Sequence, residues 1–443
     1  MQLRRRVGRG AIPLQVGGSL AAATCALLGS GTPTTVIAQE LAPWDIDSAF
    51  LYYGESDGRV RDASINVLAS KELREDGLLG LSLAFDSLTG ASPSGAAPST
   101  VPQTFTRPSG GASYTVGAGE IPLDDSFLDT RTALGATWKW PVSRLTTLEV
   151  GANLSDEYDY TSTGLNARLA RDFNNRNTTL SFGVAAAADT VSPVGGAPAP
   201  LTPMLEADDD GGGKVTLAGD QSKDVVDFLI GVTQVLNRQT IVQFNYSLSQ
   251  ADGYLTDPYK ILSVVDPITG QPVAGPPGSG LNLYLYENRP ETREKQSLYT
   301  LLKRDFNGDV FDISYRYMTD DWGIDSHTVD LHYRWQFSGG KYFQPHLRFY
   351  SQNQADFYQT VLFSGAPIPP FATADYRLAK MDGVTFGIKY GQETQNGEFT
   401  ARFEIYEQTG EASAGSSVGA LAGLDLYPDL SAVIAQFSYK FGR

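Results

Sequence analysis

The sequence predicts an all-β fold: a transmembrane antiparallel β-barrel of about sixteen strands, within a range of about 14–18. Three observations lead there. Apolar and polar residues alternate at period two along most of the chain. The connections between the alternating runs are short on one side and long on the other. The first residues read as an export signal.

The alternation is plainest between His327 and Gln352. Val329, Leu331, Tyr333, Trp335 and Phe337 share one face, and Thr328, Asp330, His332, Arg334 and Gln336 share the other. After Ser338-Gly339-Gly340 the pattern resumes, with Phe343, Pro345, Leu347 and Phe349 against Gln344, His346, Arg348 and Tyr350. Two strands joined by a glycine turn make a hairpin. Other apolar faces are Leu79, Leu81, Leu83, Phe85; Leu134, Ala136, Trp138, Trp140; and Leu148, Val150, Ala152, Leu154. Leu180, Phe182, Val184, Ala186, then Val242, Phe244, Tyr246, Leu248, then Phe311, Ile313, Tyr315, Tyr317 follow. Val384, Phe386, Ile388, Tyr390, then Phe399, Ala401, Phe403, Ile405 precede the last run, Val433 to Phe441. Each run is near the ~10 residues that a tilted strand needs to cross a bilayer.

The expected short turns are 74–77, 141–143, 174–177, 237–239, Asn307-Gly308, 338–340 and 392–397. Asn-Gly between alternating runs is a strong hairpin signal. The long connections are about 88–126, 190–223, 253–294, 351–375 and 409–430, and all fall on the other side. Short turns at one rim and long loops at the other mark outer-membrane barrels. A soluble sandwich or propeller also alternates, but needs neither lopsided loops nor an outward aromatic band. The apolar face is therefore expected to meet lipid and the charged face to line the lumen. The final FSYKFGR resembles the aromatic-ending strand that barrel assembly machinery reads, with Phe441 displaced from the end by Gly442-Arg443.

Composition agrees. Arg4, Arg5, Arg6 and Arg9 precede a Gly/Ala/Leu-rich run, and Val36-Ile37-Ala38 reads as a cut site. Residues 1–38 are expected to be a cleaved signal peptide, and 39–443 a single barrel domain. Glycines interrupt the apolar run, which makes it a poor spanning helix. Removing its four arginines leaves 30 basic against 50 acidic residues, net −20. Such an acidic chain argues against a nucleic-acid partner. The one cysteine, Cys25, would leave with the signal, so disulfide, thiol and Cys–metal chemistry are not expected. The 22 Tyr, 21 Phe and 5 Trp suit interfacial girdles.

The inward set is expected to include Arg131, Lys139, Glu149, Arg168, Lys303, Asp312, Arg316, Asp330, His332, Arg334, His346, Arg348, Arg402 and Glu404. About the 338–340 turn, His332 should face His346, Asp330 should face Arg348, and Arg334 should face Gln344. Lys303 should face Asp312 across Asn307-Gly308. Such charges either stiffen the wall or filter solutes. His332 and His346 with Asp330 could ligate a transition metal, although nearby arginines oppose a cation. Asp208, Asp209 and Asp210 could hold a divalent cation, but lack the spacing of a calcium loop. No other cofactor is expected. No nucleophile–base–orienter set is apparent, since Ser326 and His327 point to opposite faces.

Seven blocks carry a resemblance: residues 86–96, 155–180, 231–240, 253–260, 315–335, 345–358 and 374–379. They resemble the bacterial outer-membrane barrel family catalogued as domain of unknown function 3570. The resemblance implies a barrel without catalytic residues to carry over. Genes of the family tend to lie near a thioredoxin-like protein, a small lipoprotein and a flavin transferase, which implies a link to envelope redox or metal chemistry. Within the blocks, Asp257, Tyr259, Lys260, Asp321, Trp322 and His327 are the expected mouth-lining residues. The function read from the chain is a pore or transporter for small solutes or ions. The alternatives are an envelope scaffold for periplasmic redox partners and, last, an outer-membrane enzyme. Lipid and the assembly machinery are the other expected partners.

Overall fold

A computed structural model describes residues 44–441, apart from 58, 74–75, 91–92, 107–112, 124–127, 206–213, 278–280 and 428. The expected signal segment, the acidic loop at Asp208, Asp209 and Asp210, and Gly442-Arg443 lie outside the described residues.

Sixteen antiparallel strands close into one barrel. The first half of the wall begins with β1 (Asp45–Glu55), β2 (Arg61–Glu72) and β3 (Leu78–Thr89). A loop hairpin, β4 (Gln103–Thr106) and β5 (Ser113–Val116), intervenes. The wall continues with β6 (Leu128–Ser143), β7 (Thr146–Asp156), β8 (Tyr160–Phe173), β9 (Thr178–Val191), β10 (Gln221–Asn237) and β11 (Thr240–Gly253). Two loop strands follow, β12 (Ile261–Val265) and β13 (Tyr284–Tyr286). Then come β14 (Thr292–Phe306), β15 (Asp309–Asp320), β16 (Asp325–Phe337) and β17 (Lys341–Gln352). The loop strand β18 (Val361–Phe363) precedes β19 (Lys380–Thr394), β20 (Gly397–Glu411) and β21 (Leu430–Phe441). Closure is made by β1 against β21, from Ile46 opposite Phe441 to Glu55 opposite Ala432.

The apolar face points outward. Leu134, Trp138, Leu165, Phe182, Phe244, Leu298, Trp335, Phe386, Phe403 and Phe437 are all exposed, whereas Asp330, His346, Glu404 and Gln436 on the other face are buried. A surface this apolar is stable only against hydrocarbon, so the chain is an outer-membrane barrel. The described apolar cores lie mainly in the connections and not in the wall.

Seven short turns occupy one rim: 73–77, 144–145, 174–177, 238–239, 307–308, 338–340 and 395–396. Asn307 (φ 61°) and Gly308 (φ 118°) both take positive φ, as the tightest hairpin turn requires. Two expected turns need correcting. Pro141–Ser143 belong to β6, whose register shifts there, and the turn is the next dipeptide. Proline is tolerated at such an irregularity because it has no N–H to donate. The 392–397 connection shortens to 395–396 because pairing continues to Thr394 opposite Gly397.

Leu134 lies mid-strand between Leu83 and Leu154, facing out. Leu134→Arg is expected to lower folding free energy into vesicles by about 2–4 kcal/mol. Denaturant titration in lipid checks this, and a loss under about 1 kcal/mol would place Leu134 away from hydrocarbon.

Candidate functional site

Two polar assemblies meet the lumen: an ion-paired sector of the wall, and a cap built by the long loops.

The wall sector follows from the register. Lys303 faces Asp312, Asp312 faces His332, His332 faces His346, and Asp330 faces Arg348. The ladder across the 338–340 turn also pairs Trp335 with Phe343, the same register that aligns Arg334 with Gln344. His332 Nδ1 lies 3.1 Å from both Asp312 Oδ1 and Asp330 Oδ1. The two imidazoles stack, 4.2 Å between centroids and 4° between planes. Arg348 Nε donates to Asp330 Oδ2 at 2.5 Å, and its Nη2 also bonds that oxygen. His346 Nδ1 pairs with Glu404 Oε1 at 2.9 Å. Arg402 closes the chain, 3.5 Å from Glu404 and hydrogen-bonded to Gln436.

One link skips a strand. His346 on β17 and Glu404 on β20 face the same residue of β19, Gly387. A Cβ at Gly387 would sit 2.5 Å from Glu404 Cγ. Gly391 lies likewise beneath Tyr342, which reaches Glu398 at 2.8 Å, and Gly383 beneath Tyr406. Glycine at every fourth position empties alternate lumen-facing sites of β19, so neighbours bond across it. That spacing was visible in GVTFGIKYG, and strand periodicity read for its apolar face alone misses it.

The remaining expected lumen residues are placed as follows. Arg131 pairs with Asp86 at 2.5 Å. Glu149 faces Lys139 on one side and Arg168 on the other, and Arg168 Nη2 donates to Ser181. Arg316 lies over the Tyr299 ring, and Arg334 lies 3.5 Å from the centroid of Tyr342. Lys303 is 3.6 Å from Asp312.

The cap contains residues that the wall pattern could not reveal. Loop strands β13, β12 and β18 form a three-stranded sheet, with β12 parallel to β18 from another loop. Ile261 N donates to Ser94 O, Met204 N to Tyr284 O, Ala420 N to Thr269 O, and Thr360 N to Ser413 Oγ. Five loops from around the rim are thereby tied together. The cap also reaches lumen-facing side chains: Gln352 Nε2 donates to Ala379 O, and Gln408 Nε2 to Tyr427 Oη.

An ion cluster ties its loops together, with Glu287, Asp375 and Lys260 buried and Arg377 about half exposed. Arg289 bonds Glu287 at 2.6 Å and Asp375 at 2.7 Å. Arg377 bonds Asp375 and Asp257, each at 2.6 Å. Lys260 Nζ donates to Pro93 O at 2.6 Å. Thr373 donates to Glu287. Burial pushes the Asp375 carboxyl up, but Arg377, Lys260 and Arg289 outweigh it and hold the group well below the ordinary range. Asp257 is lowered for the same reasons. Burial dominates at Glu287, which is raised. At the third outer turn, burial lifts Glu157 to about 7.

Of the expected mouth residues, Asp257 and Lys260 are parts of this cluster, and Tyr259 donates to Asp159. Asp321 accepts from Glu294 N at 2.9 Å. Trp322 is corrected from mouth-lining to cap core: it is buried and donates to Thr292 O. His327 is corrected too. It lies on the outward face, its Nδ1 2.8 Å from Tyr315 Oη, because odd positions of β16 face lipid. Ser326 is buried on the opposite face.

Gly387→Ala is expected to cost about 1–3 kcal/mol, since the new methyl overlaps Glu404. In a Glu404→Ala background the same change should cost less than half as much. Denaturant titration of the four proteins checks it; equal costs in both backgrounds would show that the bridge across Gly387 is not what the glycine serves.

Comparison with known proteins follows the fold. Aligned with a mutant of the ferric enterobactin receptor from Pseudomonas aeruginosa, in complex with enterobactin, the chain is 10% identical. That alignment covers 84% of this chain and 55% of the receptor, with TM-score 0.41. The chain thus spans about half the receptor's length. OccK5 (OpdH) of the same organism is 7% identical, covering 90% and 97% at TM-score 0.39. CdiB from Acinetobacter baumannii is 7% identical, covering 90% and 61% at TM-score 0.45. No curated protein matches the chain. Residues 17–441 match the profile of one family, and the chain belongs to it: the family described as protein of unknown function DUF3570.

Proposed function

We propose that this outer-membrane barrel is a transporter for small solutes or ions whose outer mouth is closed at rest by the loop cap. The observation that carries the reading is the joining of five loops over a wall of polar and charged lumen side chains. Sixteen strands enclose a lumen wide enough for water unless loops close it, and five loops here are tied to one another and to Gln352 and Gln408 of the wall, which supports closure. A purely structural barrel has no need of a closure separate from its wall. The ion cluster suits a gate, since removing one partner of a buried pair leaves an uncompensated charge and costs about 3–5 kcal/mol. A non-transport module that holds periplasmic partners would share the closed mouth but would not open.

Planar-bilayer recording separates these. Wild type, shown folded by heat-shifted gel mobility, is expected to be silent at pH 7. Asp375→Asn or Arg289→Ala should raise the open fraction by at least about tenfold, which needs only about 1.4 kcal/mol. Steady open steps in wild type would contradict the closed state, and silence in all three would contradict transport.

Acid should open the cap. The depressed Asp375 and Asp257 stabilise it above the unfolded carboxylate value, about 3.9, and that contribution is lost as pH falls through their folded values. Glu287, raised, acts in the opposite sense, losing its contribution as pH rises from about 4.3. Asp375, held well below the ordinary range, outweighs Glu287, and wild-type openings are predicted below about pH 4. A conductance independent of pH down to about 3 would show that the cluster does not control the mouth.

A further inference from the structure

We infer that His332, His346 and Asp330 form a binding site for a first-row transition-metal dication of the zinc type on the lumen wall. Their donor atoms all lie within 4.8 Å of one another. Asp330 Oδ1 is the hub, 3.1 Å from His332 Nδ1 and 3.3 Å from His346 Nε2. Tetrahedral coordination with arms of about 2.0–2.1 Å sets neighbouring donors about 3.3 Å apart, and the imidazoles, stacked 4° from parallel, must turn out of their stack for both lone pairs to meet one ion. Asp312 Oδ1, 3.1 Å from His332 Nδ1, contacts that ring but is not one of the mutually close donors.

A second observation points to a ligand. His346 is 6% exposed, and its Nε2 faces Asp330 Oδ1 at a long 3.3 Å, without a well-aligned hydrogen bond. Its other nitrogen is held by Glu404. A carboxylate on one imidazole nitrogen fixes the ring and raises the basicity of the other, the arrangement that supports metal-bound histidine. Gly387 permits it, since a side chain there would strike Glu404.

The arginines do not block the ion. Arg348 bonds only Asp330 Oδ2, which leaves Oδ1 turned to the histidines and orients the carboxylate. Arg402 lies against Glu404, one residue removed from the donors. Imidazole with carboxylate, and no thiolate, selects the zinc, copper or nickel class over calcium and magnesium. This site stands whether or not the barrel transports.

The test uses the full folded chain in detergent. Isothermal titration with Zn²⁺ should show one saturable site. His332→Ala and His346→Ala should each weaken it by at least about tenfold, and Glu404→Gln by about 10–100-fold. His327→Ala, the third histidine, should change nothing. Cu²⁺ paramagnetic resonance should show two coupled nitrogens in wild type and fewer in either histidine variant, which separates this site from an all-oxygen site in a loop. If His346→Ala fails the gel-mobility criterion for folding, His332→Ala, whose side chain is 26% exposed, carries the test. Absence of saturable Zn²⁺ binding, or equal affinity in wild type and His332→Ala, would overturn the inference.

Discussion

Inside a bilayer no water is present to accept or donate a hydrogen bond, so every backbone N–H and C=O of a spanning strand must be paired within the protein. The pairing of β1 with β21 meets that constraint, because it leaves the sheet without an edge. Closure then divides each strand into two faces with different solvents. Leu134, Phe244, Phe386 and Phe437 meet hydrocarbon, while Asp330, His346 and Glu404 are turned from it. A polar group on the first face or an uncovered apolar run on the second would be costly, which is why the alternation persists through all sixteen strands.

The same constraint concentrates specificity on the inner face and in the loops. Inner side chains cannot form a conventional apolar core, so neighbouring strands exchange ion pairs. Where one strand offers only glycine, as β19 does at Gly383, Gly387 and Gly391, the pairs reach across it. This gives Glu404 access to His346 and builds a five-group chain from Arg348 to Arg402. The loops, free of the membrane, build ordinary apolar cores around Tyr284, Trp322 and Leu262, and so make a folded cap.

The wall was legible in the sequence because its rule is local. Period two names the lipid face, and turn length names the rim. A glycine turn such as 338–340 sets the register that brings His332 to His346 and Asp330 to Arg348. Pro141 was misread because proline ends most strands, yet it is accommodated at a register shift. His327 was misread because a family block, and not strand parity, suggested its place. The cap was not legible. Arg289 meets Asp375 over 86 residues of chain, and β12 pairs with a strand of another loop. Such contacts depend on how five loops pack together, for which no local period exists.

The proposed closure of the mouth is tested most directly by access to the lumen beneath it. In a Cys25→Ser chain, Thr385→Cys places one thiol on the inner face of β19, opposite Arg348, where the native threonine is 7% exposed. Ile268→Cys places one on the cap, at a position 82% exposed. Labelling of intact cells with a bulky maleimide should be at least about tenfold slower at 385 than at 268, since the reagent must wait for the cap to open. Equal rates at the two positions would contradict a cap that closes the barrel.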